Sequence, residues 1–229
     1  MKVFFFIFVF FHNFANGDTQ VYKGEAKLKG KLVYRELHTV VLDKGNVRSS
    51  ETVYTDPRGN VLARLTNDYS KSVNLPEHLM LDTIHKNKHG LRYIKDTPVM
   101  FNQDEKDDEE TKKINVNDYK GKLVVGGQGL HYYIVSNFEE ILKKGNLKLK
   151  FVIPGRLDAY DFYLKVLTKS QNKVVFEVEI DNWFLKLFAP RLKMVYDPIT
   201  KRLISYSGLS NIRTPDKEIM SVDIEYSYE

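Results

Sequence analysis

The chain has 229 residues, 35 Lys and Arg against 30 Asp and Glu, a net charge of +5, and no cysteine. The missing thiols exclude disulfide staples, cysteine nucleophiles, zinc–thiolate and iron–sulfur sites, and lipid attachment through a cysteine. The mild basicity fits long-range attraction to anionic headgroups or to an acidic partner, but plain solubility is the favoured reading.

Met1-Lys2 leads into the nine apolar residues Val3 to Phe11, and Ala15-Asn16-Gly17 places small residues at −3 and −1 of a cleavage point. A lone positive charge, a short apolar core and a small-residue exit predict a secretory signal peptide over 1–17. The apolar run falls short of the roughly 20 residues a membrane-spanning helix needs. Residues 18–229 are then expected as one soluble, β-rich domain in the periplasm or outside the cell, not an integral membrane protein. No later apolar stretch is long enough to span a bilayer.

Period-two alternation with closely spaced turns dominates that segment. Lys31–Leu42, Val47–Thr55 and Val61–Tyr69 predict a three-stranded meander, turning at Asp43-Lys44-Gly45-Asn46 and Asp56-Pro57-Arg58-Gly59-Asn60. Shorter strands follow at Met80–Ile84, Leu91–Ile94, Val99–Asn102 and Lys122–Val125. Between the last two, Asp104–Lys113 (DEKDDEETKK) carries six acids and three bases and predicts an exposed loop or hairpin tip.

Gly126-Gly127-Gln128-Gly129 reads as a flexible segment before the one convincing helix. There Ser136 and Glu139 have capping-box spacing, Ile134, Phe138, Ile141 and Leu142 share a face, and Gly145 marks the end. Four clean strand patterns come after it. Leu147, Leu149, Phe151 and Ile153 alternate with Lys148, Lys150 and Val152; Tyr160, Phe162, Leu164 and Val166 alternate with Asp161, Tyr163 and Lys165. Val174, Phe176, Val178 and Ile180 alternate with Val175, Glu177 and Glu179; Met220, Val222, Ile224 and Tyr226 oppose Ser221, Asp223 and Glu225. Each predicts a strand with one apolar and one wet face. The sum is a mainly β fold of about ten to twelve strands in one strongly curved antiparallel sheet with one substantial helix.

Several phrases carry a resemblance: Gly30-Lys31-Leu32-Val33-Tyr34-Arg35-Glu36-Leu37-His38, the Asp56-Pro57-Arg58-Gly59 turn, Phe151-Val152-Ile153-Pro154-Gly155-Arg156-Leu157-Asp158, Tyr196-Asp197-Pro198 and Tyr206-Ser207-Gly208-Leu209-Ser210-Asn211-Ile212. Together the chain resembles exported, uncharacterised proteobacterial proteins whose architecture is similar to the periplasmic lipoprotein carriers (LolA/LolB-like). The resemblance implies a half-barrel whose helix packs against the concave side, with acyl chains held between them. It brings no ligand-binding signature and covers layout alone.

Two constellations invite chemistry. His85 and His89 have i, i+4 spacing but lack the Glu of an H-E-x-x-H motif, and Gly90 with its β-like neighbours argues for a solvated basic turn; no metal is expected. Tyr34, Glu36 and His38 lie two apart on one strand face, where a Glu–His pair inside a cleft could do acid–base work. The favoured expectation places them on a polar outer face. No nucleophile elbow or phosphate loop is present, so no catalytic residue, cofactor or nucleic-acid partner is expected.

Asp181–Pro190 is greasy on both strand faces, with Trp183, Leu185 and Leu187 on one and Phe184 and Phe188 on the other. The leading expectation is a non-enzymatic carrier or envelope chaperone whose concave face takes a lipid, a lipoprotein or an acyl chain. Phe151, Tyr160, Phe162, Phe176, Trp183, Phe188, Met194 and Tyr226 would form the wall, with Phe138 and Ile141 as plug or gate. The alternative is an assembly factor binding another envelope protein through a sheet edge or the Trp183 patch. The third is a hydrolase using Glu36 and His38.

Overall fold

The computed structural model describes residues 18–119, 121–181 and 191–229; the expected signal peptide and the Trp183 to Phe188 stretch lie outside the described residues. The N-terminal half supplies β1 (Asp18–Leu28), β2 (Lys31–Asp43), β3 (Asn46–Thr55), β4 (Val61–Asp68), β5 (Glu77–Asp82), β6 (Asn87–Ile94), β7 (Thr97–Gln103) and β8 (Glu110–Lys113). The C-terminal half supplies β9 (Leu123–Gly126), α1 (Gly129–Ser136), α2 (Phe138–Lys144), β10 (Asn146–Ile153) and β11 (Asp158–Lys169). It continues with β12 (Val174–Ile180), β13 (Leu192–Tyr196), β14 (Leu203–Arg213) and β15 (Ile219–Tyr228).

These fifteen strands form one open, curved sheet in the order 8-7-6-5-4-3-2-1-15-14-13-12-11-10-9. Two meanders therefore run outward from a central antiparallel pair, β1 with β15, where Ala26 faces Ile224 and Tyr22 faces Tyr228. The mainly β half-barrel layout is as the alternation predicts. The expected strand number is too low, because β1, β8, β13 and β14 give weak or interrupted patterns. One pair is parallel: β9 reaches β10 through the two helices, and such a crossover returns the chain in the same direction.

Turn chemistry is local and legible. In the β3–β4 hairpin the Asp56 carboxylate accepts the backbone N–H groups of Arg58 (2.8 Å) and Asn60 (2.9 Å). With the Asn60 side-chain amide as its strongest partner, Asp56 is held down to about 2. The acidic segment forms the β7–β8 hairpin, and all four β8 residues are exposed. Charged, short and wet, β8 is a poor template for further strand pairing.

The sheet curls until its two ends nearly meet. Gly126 N–H donates to Asn74 C=O at 3.0 Å, Lys112 pairs with Asp158 at 3.2 Å, and Val152 packs with Leu75, Leu91, Met100 and Ile114. Val152, expected on a wet face, is fully buried because β10 is covered on both sides where the ends approach. Glu177 and Glu179 also depart from their expected wet face. Both are buried, with Arg191 near each and Lys165 on Glu179.

The single long helix is two short ones. Asn137 leaves helical geometry (φ −116°, ψ 25°), and both its backbone N–H and its side-chain amide donate to Tyr133 C=O, at 3.0 and 2.9 Å. That pair of hydrogen bonds caps α1 and forces a new start, so the Ser136–Glu139 capping box does not form. The predicted face survives the break: Ile134, Phe138 and Ile141 are buried in one cluster, with Leu142 packed against it.

Candidate functional site

Two chemically contrasting parts of the interior bear on function. The first is apolar. Leu149, Leu164, Val174, Phe176, Val178 and Met194, on β10 to β13, meet Leu130, Ile134, Phe138 and Ile141 of the helices. Phe138 and Phe176 pack edge-to-face with ring centroids 5.6 Å apart. Four residues expected to line a ligand wall or gate it, Phe138, Ile141, Phe176 and Met194, are therefore core in this arrangement, with the chain's own helices filling the space. Phe151 and Phe162 are partly buried against the same cluster, rings 5.9 Å apart, and partly buried Tyr160 lies opposite Phe151. Tyr226 belongs to the second region. Trp183 and Phe188 lie outside the described residues.

The second is a polar network on the inner face of β1 to β4 and β15, beside the apolar cluster of Ala26, Tyr54, Ala63, Leu65, Val222 and Ile224. Tyr34, Glu36 and His38 do share a face, but it points inward, and their exposures are 1%, 5% and 5%. Leu37, between the last two, is 41% exposed. The outer-face expectation is thus inverted, because polar partners arriving from distant segments replace water. Glu36 Oε2 accepts from His38 Nε2 (2.8 Å) and from Tyr226 OH (3.1 Å), while His38 Nδ1 lies 3.0 Å from Thr52 Oγ1. Tyr22 stacks on the His38 ring at 4.2 Å. Burial raises the Tyr22 and Tyr226 hydroxyls well above the ordinary tyrosine value, with the Glu36 charge adding to it, so both stay protonated and Tyr226 can donate to Glu36.

Gln128 connects this network to the helices. Its Nε2 donates to Thr52 Oγ1 (3.0 Å), and its Oε1 accepts from Ser50 Oγ (3.0 Å), Asn67 Nδ2 (3.2 Å) and Tyr69 OH (3.4 Å). Gln128 is the residue before α1, so a segment expected to be flexible is instead pinned to β3 and β4. Gly129 makes the approach possible: a Cβ there would sit 2.1 Å from Asn74 O. Asn67 Oδ1 is buried without a hydrogen-bond partner among the described residues.

Two histidines flank this pin. His78 packs under Gly127 and bonds the Pro76 carbonyl (3.1 Å); His131 on α1 reaches Tyr196 OH (2.9 Å). Desolvation pushes each down to about 4, so both are neutral near pH 7. Ser50, Thr52 and Asn67 show no sequence signal beyond their place in alternating segments, and Gln128 shows none within its glycine-rich run. The hydroxyl–imidazole–carboxylate order of Thr52, His38 and Glu36 matches an acyl-transfer relay in kind. Thr52, however, is fully buried, and its oxygen already takes the Gln128 amide.

His85 and His89 do not converge. His85 bonds Asp82 (2.8 Å) and the Pro215 carbonyl (3.3 Å) from the β5–β6 turn, whereas His89 points from β6. No group of three or more metal-ligating residues exists among the described residues.

No protein-family model matches the chain, and no curated protein matches it. Two solved structures overlap it in layout. One is a β-barrel-like protein of a domain of unknown function, DUF1849, from Brucella abortus, with 8% identity, TM-score 0.42, and coverage of 93% of this chain and 98% of that one. The other is a candidate outer membrane lipoprotein-sorting protein domain from Vibrio parahaemolyticus, with 9% identity, TM-score 0.25, and coverage of 92% and 84%. Overlaps this loose carry no argument about ligand or activity, so function is argued from the residues of this chain. No helix among the described residues is long and apolar enough to cross a membrane.

Proposed function

We propose that the protein is a non-enzymatic binding protein of an extracytoplasmic compartment, taking an acyl chain or similar apolar group between the β10–β13 wall and the helices. One observation carries this: a continuous apolar wall is covered, among the described residues, by the helical segment 129–144. Glycines lie at both ends of that segment, and Gly145 ends α2 at φ +75°. Side chains that pack without directional bonds can exchange one apolar partner for another. A displaced helix face is replaced by methylenes worth about 0.8 kcal/mol each on burial, before association costs. Gln128 anchors the segment at one end while α2 swings about Asn137 and Gly145.

The test uses the full chain after solvent extraction, titrated with a fluorescent long-chain fatty acid while amide exchange is followed. Saturable one-to-one binding, with faster exchange confined to residues 129–144, is expected. Absence of saturation, or binding that leaves those amides unchanged, overturns the reading. The hydrolase reading draws only on the Thr52–His38–Glu36 order. It requires a measured ester turnover that Glu36→Gln abolishes in a folded protein.

A further inference from the structure

At one end of the half-barrel, away from the helices, a cavity of about 180 Å³ opens where three separate walls converge. The ends of β5, β6 and β7 bring Asp82, Asn87, His89 and Asn102; β14 brings Asn211 and Arg213; the turn after β10 brings Gly155, where an added Cβ would lie 3.7 Å from the His89 ring. Two lining groups are fixed in place. Asp82 accepts from the backbone of Ile84 and His85 and from the His85 ring, and Asn211 donates to Tyr54 OH. The side chains of Asn87, His89, Asn102 and Arg213, and of Asp104 at the rim, make no hydrogen bond or ion pair among the described residues. Unpaired donors and acceptors from β6, β7 and β14 thus line one cavity, on strands whose register the sheet fixes.

We infer that this cavity binds a small, neutral, hydroxyl-rich ligand of monosaccharide size. The wall chemistry selects it. An anion would meet the Asp82 and Asp104 carboxylates, and a cation would meet Arg213. An apolar group would find only Met80. A hydroxyl donates and accepts at once, and a wall mixing guanidinium and imidazole donors, carboxylate acceptors and carboxamides that do both matches a polyol group by group. The size agrees: the volume equals about six waters at roughly 30 Å³ each and lies below the roughly 300 Å³ where drug-sized sites begin. This site is separate from the apolar wall and does not depend on the acyl-binding reading.

The experiment titrates isotopically labelled full chain with glucose, galactose and mannose, and with inorganic phosphate and spermidine as ionic probes, following the Asn87, Asn102 and Gly155 amides. At least one hexose is expected to give saturable shifts with a Kd of about 1 mM or tighter. Arg213→Ala and Asn102→Ala should each weaken it about fivefold. Because neither side chain holds a partner, both variants should melt as the parent does, which separates lost binding from lost folding. Saturation by phosphate or spermidine instead of a hexose, or no saturation by any hexose, overturns the inference.

Discussion

The β10–β13 wall and the polar network that Gln128 joins on β3 and β4 both lie inside the fold, yet they are held together in opposite ways. Beneath the helices, Phe138, Ile141, Phe176 and Met194 contribute area without direction. Around Gln128, each contact has a donor, an acceptor and a fixed register. The difference teaches where this fold can change partners. Apolar packing tolerates a substitute surface, whereas a buried polar network loses the full desolvation penalty of every group left unpaired.

The comparison breaks most visibly through the apolar side. Phe176→Ala should destabilise the protein by about 3–5 kcal/mol, because a fully buried ring leaves a cavity under α2. Urea unfolding measures this, and a double-mutant cycle with Phe138→Ala should fall short of additivity, since the two rings touch. A loss under 1 kcal/mol would mean the helices do not rest on that wall.

The next effect comes from acid. The folded protein holds His78 and His131 at about 4, below the ordinary value near 6.5. As pH falls below 6.5 the unfolded chain takes up protons that the folded chain refuses. The stability present above 6.5 therefore declines toward pH 4, by up to about 3 kcal/mol for His78 and less for the partly exposed His131. His78→Gln should flatten the slope of urea midpoint against pH over that window; an unchanged slope would remove His78 from the balance.

Gln128→Ala sharpens the contrast at the hinge between the two regions. It should cost about 1–3 kcal/mol by orphaning Thr52, Ser50, Asn67 and Tyr69 partners, and should quicken amide exchange in α1 more than in β10. Equal acceleration across the sheet would show a general loss of stability with no specific pin. At the small end, Arg58→Ala in the exposed β3–β4 turn should stay within about 0.5 kcal/mol by thermal melting.

Much of the fold was legible because strand alternation and turn chemistry are local. The β2–β3 and β3–β4 hairpins, the acidic hairpin tip and the helix face were all readable from neighbouring residues. β1 was not, because two of its three buried positions are Gly24 and Ala26, with Tyr22 the one large side chain among them. A Cβ at Gly24 would lie 2.9 Å from Tyr226 Cε1, so the strand carries small residues where a pattern search expects large ones. Alternation alone predicts the Tyr34–Glu36–His38 face on the outside, because the partners that turn it inward come from Thr52, Gln128 and Tyr226. Alternation identifies a face but not what covers it.

The β class, the hairpin turns and the apolar helix stripe follow from residue order alone, because each depends on residues a few positions apart in a repeating backbone geometry. Only the tertiary structure decided that the polar face turns inward, that Gln128 fastens the helices to β3 and β4, and that free polar groups meet at one mouth of the half-barrel. Those outcomes depend on the curvature that brings strands far apart in sequence to within hydrogen-bonding distance, and curvature is a property of the whole sheet.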